Sequence, residues 1–85
     1  MRKKDSPKSF WTYRVFRNGR QFYIGEAYYE GEKLVGFTGA SDPYGETVEE
    51  LANDLKRMLV ALDRPVLNAV EEERRAKERT KKGRR

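Results

Sequence analysis

Apart from Met1, large apolar side chains are confined to one stretch of this chain, between Phe10 and Val70. A folded segment of about sixty residues has room for only one thin core, and domains of this size often gain stability from a partner or a second copy. The 85 residues include no cysteine, so neither a disulfide nor a thiolate-bound metal can reinforce that core. We therefore expect a single domain at residues 9–70, between a mobile basic arm at residues 1–8 and a charged tail at residues 71–85.

Three β-strands are predicted in the first half of the chain. Aromatic and β-branched residues alternate with polar ones over residues 9–17, which is the pattern of a half-buried strand. Asn18-Gly19 tolerates positive φ at both central positions of a tight turn, which predicts a hairpin with a second strand at residues 21–29. Gly25 inside that strand indicates a bulge or a close approach of backbone. A second turn and a short third strand complete a three-stranded antiparallel meander.

A helix is predicted after the strands. Thr47 and Glu50 have the spacing of a capping box, in which each side chain accepts a hydrogen bond from the other residue's backbone N–H. The apolar residues that follow recur at the intervals of one helix face, namely Val48, Leu51, Leu55, Met58, Leu59 and Leu62. Pro65 ends or kinks this segment. The expected fold is α+β: a three-stranded antiparallel meander packed on one face by one amphipathic helix, with a charged, partly helical tail exposed to solvent.

The residues that most enzymes use for catalysis are absent. The chain has no histidine and no cysteine, which removes the commonest general base, thiol nucleophiles and the usual ligands of zinc. Its glycines do not form a phosphate-binding loop. We therefore expect no enzymatic activity, no cofactor, no metal and no small-molecule substrate. Because no apolar run approaches about twenty residues and no apolar segment follows the charged start, we expect a cytoplasmic protein without a membrane segment.

The surplus of aromatic residues predicts a binding surface. One helix cannot cover both faces of a sheet, and an uncovered aromatic face is typical of an interface. We expect the chain to bind another protein, or a second copy of itself as a homodimer, through that face or through an edge strand. The residues predicted to make the contact are Tyr13, Phe16, Tyr23, Tyr28 and Tyr29. A phage-type inhibitor or accessory factor would have such a design.

The charge distribution leaves a second function open. Residues 21–70 carry four basic and nine acidic side chains, whereas residues 1–20 have a net charge of +6 and residues 71–85 of +4. Basic ends can contact phosphates with salt-dependent affinity, and the aromatic residues of a sheet can stack on bases. The alternative is therefore a nucleic-acid-binding protein whose contacts come from Arg2, Lys3, Lys4, Lys81, Lys82, Arg84 and Arg85.

Short motifs give the chain two resemblances. One set of segments resembles those of short uncharacterised bacterial and phage proteins, which implies no particular activity; the segments are Trp11-x-Tyr13-Arg14-Val15, Gly45-Glu46-Thr47-x-Glu49-Glu50-Leu51 and Pro65-Val66-Leu67. The order of three strands and a helix is more loosely similar to HicB-type antitoxins, whose folded part is a truncated RNase H-like unit. The residues that carry this likeness are Gly45, Thr47, Glu49 and Glu50. It implies an antitoxin role as one form of the nucleic-acid-binding alternative.

Overall fold

The fold is a four-stranded sheet with a helix on each face. The computed structural model describes the backbone of residues 8–83 and the side chains of residues 8–78. Its elements, in chain order, are β1 (Ser9–Asn18), β2 (Gln21–Glu30), β3 (Lys33–Phe37), α1 (Val48–Ala61), β4 (Leu67–Asn68) and α2 (Ala69–Gly83). The sheet order is β3-β2-β1-β4, in which β4 is parallel to β1 and the other pairs are antiparallel. Among the described residues, neither helix is long and apolar enough to span a bilayer.

The α+β class and the three antiparallel strands are confirmed, but the fold also has a fourth strand and a second packed helix that were not predicted. β4 has only two residues, which pair with Phe16 and Arg17 of β1. Arg14 holds the chain at this point, since its Nη2 donates a hydrogen bond to the carbonyl oxygen of Pro65 at 2.7 Å. A strand of two residues is too short to show a period, so sequence patterning could not reveal it.

Both hairpin turns depend on a glycine with positive φ. Gly19 has a φ of 65° and Gly31 a φ of 63°, and no other residue type among those described has a positive φ. Asn18 still pairs with Gln21, so the turn residues are Gly19 and Arg20. The predicted turn over Asn18-Gly19 is therefore displaced by one residue. Positive φ at the first central position alone is the pattern of a type II′ turn, whose twist suits a hairpin.

Gly25 lies where two backbone segments approach closely, as predicted. Beyond β3 the chain continues beside β2, and Thr38 N donates to Glu26 O at 3.0 Å. A Cβ atom at Gly25 would lie 2.8 Å from the carbonyl oxygens of both Thr38 and Gly39. Only glycine at this position leaves room for the chain after β3 to run so close to β2.

Replacing Gly25 by alanine should destabilise the domain by about 1–3 kcal/mol, because the added methyl group overlaps two backbone oxygens. Gly36→Ala is the matched control in the neighbouring strand, since the nearest atom to a Cβ there is Tyr28 Cδ2 at 4.0 Å. Urea unfolding followed by circular dichroism measures the free energy of unfolding of both variants. Equal stabilities would contradict the close approach at Gly25.

α1 and α2 pack on opposite faces of the sheet. Successive side chains of a strand point to opposite faces, and the adjacent residues Val15 and Phe16 contact different helices. Val15 belongs to the core cluster that includes Met58 and Ala61 of α1. Phe16 belongs to the cluster that includes Ala69 of α2. The core therefore consists of two small halves, one beneath each helix.

α2 covers the sheet face that was expected to stay open. The tail was predicted to have no packed helix because its only apolar residue after Val70 is Ala76. In the structure α2 begins at Ala69, which is buried, and Ala76 two turns later is half-buried. Small side chains at these positions let the helix backbone lie close to the sheet, so a helix with little apolar surface can still pack there.

Thr47 caps the start of α1, as predicted. Its Oγ1 accepts a hydrogen bond from Glu50 N at 3.1 Å. The reciprocal bond differs from the prediction, because Glu50 Oε1 accepts from Glu46 N at 2.9 Å and not from Thr47 N. The Thr47 hydrogen bond satisfies an N–H group that the helix start would otherwise leave without a partner, and the Glu50 hydrogen bond ties down the residue before the cap.

Candidate protein-binding surface

A buried carboxylate fixes how α1 lies on the sheet. Asp54 is only 4% exposed, and a buried charge is stable only when hydrogen bonds compensate it. Its Oδ1 accepts from the Tyr13 hydroxyl at 2.8 Å and from Arg57 Nη2 at 3.0 Å, and its Oδ2 accepts from Tyr44 N at 2.8 Å. The hydrogen bonds from Tyr44 and Tyr13, with a smaller effect of Arg57, hold the pKa of Asp54 below its usual range. Burial, and next the hydrogen bond to Asp54, raises the pKa of Tyr13 to about 12.

This anchoring leaves part of the apolar face of α1 exposed. Successive helix residues differ in direction by about 100°, so an inward Asp54 turns the following residue, Leu55, away from the sheet. Four of the exposed apolar residues lie on that side of the helix with exposed fractions of 48–83%; they are Val48, Leu55, Leu59 and Leu62, named here the α1 stripe. Of the six residues predicted to pack on the sheet, only Met58 is buried and Leu51 half-buried. The prediction for the other four is wrong.

A second apolar surface lies on the same sheet face, beyond the part that α1 covers. Trp11 of β1 is directly opposite Tyr28 of β2, and Val35 is the extra residue of a bulge in β3. Their exposed fractions are 46%, 37% and 43%. These three residues, named here the Trp11 patch, line a shallow groove of about 310 Å³ that is completed by Ser9, Phe10, Tyr29 and Glu30.

Neighbouring groups hold the Trp11 patch in place. The Trp11 ring packs edge-to-face on Tyr13, with ring centroids 5.1 Å apart and ring planes at 88°. The Tyr28 hydroxyl donates a hydrogen bond to the Glu26 carboxylate, which raises the pKa of Tyr28. Because Tyr13 is itself held by Asp54, the buried polar cluster fixes the ring against which the exposed indole packs.

The five predicted contact residues are distributed over both sheet faces and do not form one surface. Tyr13 and Phe16 are buried, in different halves of the core. Phe16 is fully buried and its ring stacks on Phe37, with centroids 4.8 Å apart. Of the five, Tyr28 alone is exposed. It is therefore the predicted residue that a partner can reach most directly.

Tyr23 and Tyr29 are half-buried on the face that α2 covers. The Tyr23 hydroxyl donates to Thr38 O at 3.4 Å, and burial raises the pKa of Tyr23. The Tyr29 hydroxyl accepts a hydrogen bond from Arg14 Nη1 at 2.7 Å. Both hydroxyl groups are thus used within the domain.

Trp11 and Val35 were not among the predicted contact residues. The hairpin register could have revealed Trp11, because a turn at Gly19-Arg20 places it opposite Tyr28, at the end of the sheet remote from the turn. Val35 is exposed through a bulge in β3, and no residue type in the sequence marks that bulge.

The basic residues of the nucleic-acid alternative are not tested by the structure. Arg2, Lys3, Lys4, Arg84 and Arg85 lie outside the described residues. Lys81 and Lys82 lie at the end of α2, where the structure describes the backbone alone. A nucleic-acid contact through these residues therefore stays a prediction.

Comparisons with known proteins assign no family to this chain. No protein-family model, no curated protein and no solved structure matches it. The two resemblances based on short motifs stay predictions. In the structure, part of their shared motif serves local packing, since Thr47 caps α1 and Gly45 lies so close to the backbone N of Leu51 that a Cβ would not fit there.

Removing the Tyr13 hydroxyl by Tyr13→Phe should destabilise the domain by about 1–3 kcal/mol near neutral pH, because Asp54 stays buried with one donor fewer. Folding raises the pKa of Tyr13 from 10.0 to about 12, so the contribution of this hydroxyl is present below pH 10.0 and is lost as the pH rises through about 12. The stability difference between wild type and Tyr13→Phe should shrink over that window. Urea unfolding at several pH values measures it.

Tyr44→Phe is the control for Tyr13→Phe, because the Tyr44 ring is 70% exposed and contributes only its backbone N–H to Asp54. This variant should keep the stability of the wild type. A Tyr13→Phe difference that stays constant up to pH 12 would contradict the raised pKa and the hydrogen bond behind it.

Proposed function

We propose that this chain is a non-catalytic module that binds another protein through the Trp11 patch. The observation that carries the proposal is the incomplete cover of one sheet face: α1 packs around Tyr13 and Val15 and leaves Trp11 and Tyr28 exposed, opposite one another. Trp and Tyr are enriched at the centres of protein interfaces and are frequent among the residues that carry most of the binding energy.

The rigidity of the Trp11 patch supports this function. Trp11 and Tyr28 lie on two strands that pair along ten residues each, and the buried Tyr13 ring packs edge-to-face against the indole ring. A partner that covers these rings removes apolar surface from water without first having to order a loop. Binding therefore loses little conformational entropy on this side of the interface.

The acidic rim of the patch indicates the chemistry of the partner. Glu26 accepts the hydrogen bond from Tyr28, and Glu30 lines the groove. A protein segment that combines apolar side chains with lysine or arginine is complementary to this surface, and its cations can also lie over the Trp11 ring. The same carboxylates repel phosphate groups, so the patch favours a protein partner over a nucleic acid.

We propose that the protein acts in the cytoplasm as a phage-type inhibitor or accessory factor. A small module of this kind works by occupying a surface of its partner, for which a preformed apolar patch is sufficient. Asp54, a buried carboxylate, supports the non-catalytic role: its oxygens accept three hydrogen bonds from the fold itself, so it serves packing and not proton transfer.

Site-specific cross-linking tests this function. Photoreactive benzoylphenylalanine replaces Tyr28 in one variant and Tyr44, whose side chain is also exposed, in the control. After illumination in native host cells and nuclease treatment, the Tyr28 variant should give a protein adduct of defined mass that the control lacks. An adduct that contains nucleic acid, or the same adducts at both positions, would contradict the proposal.

The affinity of the cross-linked protein for the purified chain gives the quantitative test. Trp11 is the only tryptophan, so its fluorescence reports directly on burial of the patch. Trp11→Ala should weaken binding by about 30-fold or more, as expected for a central interface residue, whereas Tyr44→Ala should change it by less than about threefold. Circular dichroism verifies that both variants are folded. A folded Trp11→Ala variant with unchanged affinity would exclude the Trp11 patch.

A further inference from the structure

We infer that the α1 stripe is a self-association surface, on which two copies of this chain pack their α1 helices antiparallel about a twofold axis. This inference goes beyond the proposed function, since it uses a different surface and a different partner. The contact would be centred on Leu59 and Leu62, with Leu55 beside them. The same patch then serves both copies, as in most homodimers.

The spacing of the stripe fits a helix partner. Val48, Leu55, Leu59 and Leu62 follow one another at intervals of seven, four and three residues, and their exposed fractions are 83%, 48%, 64% and 59%. Alternating intervals of three and four keep apolar side chains on one line of a helix, the arrangement that packs against a second helix. Leu62 stays on this line although it caps α1, because its backbone is still in the αR conformation and Asp63 N donates to Val60 O at 3.0 Å.

Charged residues beside the stripe select one register between the two copies. Lys56 and Asp63 lie seven residues apart along its outer edge, and neither has an ion-pair partner among the residues whose side chains are described. An antiparallel alignment that sets Leu59 against Leu62 of the partner subunit brings Lys56 beside the partner's Asp63. Twofold symmetry forms this pair twice.

The competing antiparallel register is disfavoured by charge. An alignment that sets Leu55 against Leu59 of the partner subunit places Lys56 beside the partner's Lys56 and Glu49 beside the partner's Asp63. Both contacts bring like charges together, which destabilises an interface. A second copy in the first register is thus complementary to the stripe in shape and in charge.

The small size of this contact indicates a reversible dimer. A few leucines on each side bury less than the roughly 800 Å² per partner of a standard stable interface. Sedimentation equilibrium of the full chain between about 1 µM and about 300 µM covers the range in which weak dimers dissociate. We expect a monomer–dimer equilibrium within this range.

Two matched variants test the surface. Leu59→Glu places a carboxylate in the stripe and should weaken the dimer at least about 30-fold, as for a central interface residue. Val60→Glu adds the same charge to the same helix turn, at a residue that is 53% exposed but points about 100° away from Leu59, and it should change dimerisation by less than about threefold. If Leu59→Glu loses helical circular dichroism, Leu59→Ser takes its place in the comparison.

A charge swap tests the register. Lys56→Asp and Asp63→Lys should each weaken the dimer. Either single change puts two charges of the same sign side by side in both of the symmetry-related pairs. The double variant Lys56→Asp/Asp63→Lys should recover most of the lost affinity, since the pairs form again with reversed sign. Failure of the double variant to recover affinity would overturn the antiparallel register.

The remaining outcomes separate this inference from the proposed function. A wild-type chain that stays monomeric at the highest concentration, or equal effects of Leu59→Glu and Val60→Glu, would overturn the inference and leave the Trp11 patch untouched. A dimer that dissociates with Trp11→Ala but not with Leu59→Glu would place self-association on the sheet and overturn the role of the α1 stripe.

Discussion

The hydrogen bond from the Tyr13 hydroxyl to the buried Asp54 carboxylate determines the orientation of α1, and both exposed apolar surfaces follow from it. A charge can remain in so small a core only because Tyr13, Tyr44 and Arg57 all donate to it. With Asp54 facing the sheet, α1 cannot also turn Leu55 and Leu59 inward. A helix with an apolar residue in place of Asp54 could rotate and bury more of its own leucines. The α1 stripe would then no longer be exposed.

The two helices divide the sheet unequally. α2 has few apolar residues, yet its small side chains let it lie against Phe16 and the tyrosines of the far face. α1 has many apolar residues, yet it covers only the part of the near face around Tyr13 and Val15. The exposed apolar surface therefore lies on the same side of the sheet as α1, the more amphipathic helix. Sequence patterning alone would predict that α1 covers its face of the sheet more completely than α2 covers the other face.

The features that could be predicted from sequence are those fixed by local chemistry. The hairpin glycines, the cap at Thr47 and the close approach at Gly25 each depend on residues near in sequence or on the absence of a Cβ. The α+β class follows from the change of period from two to three and four along the chain. The two-residue parallel pairing of β4 and the docking of α2 through Ala69 leave no such local signal.

The candidate site was harder to predict because it depends on tertiary contacts. Tyr13 and Phe16 were grouped with Tyr28 as contact residues, although odd and even positions of β1 face opposite sides of the sheet. Asp54 has the polarity expected of an outer helix face, and only the donors that surround it in three dimensions make its burial favourable. Sequence periodicity could therefore identify an apolar helix face but not how much of it the fold would bury.

The orientation of α1 can be measured directly from methyl nuclear Overhauser effects in the labelled protein. We expect cross-peaks from the Val15 and Ile24 methyl groups to the Met58 methyl group and to Ala61 within one chain, and none from Val15 or Ile24 to Leu55 and Leu59. Intramolecular cross-peaks from Val15 and Ile24 to Leu55 and Leu59, in place of those to Met58, would show a helix turned the other way and would contradict the central role of Asp54.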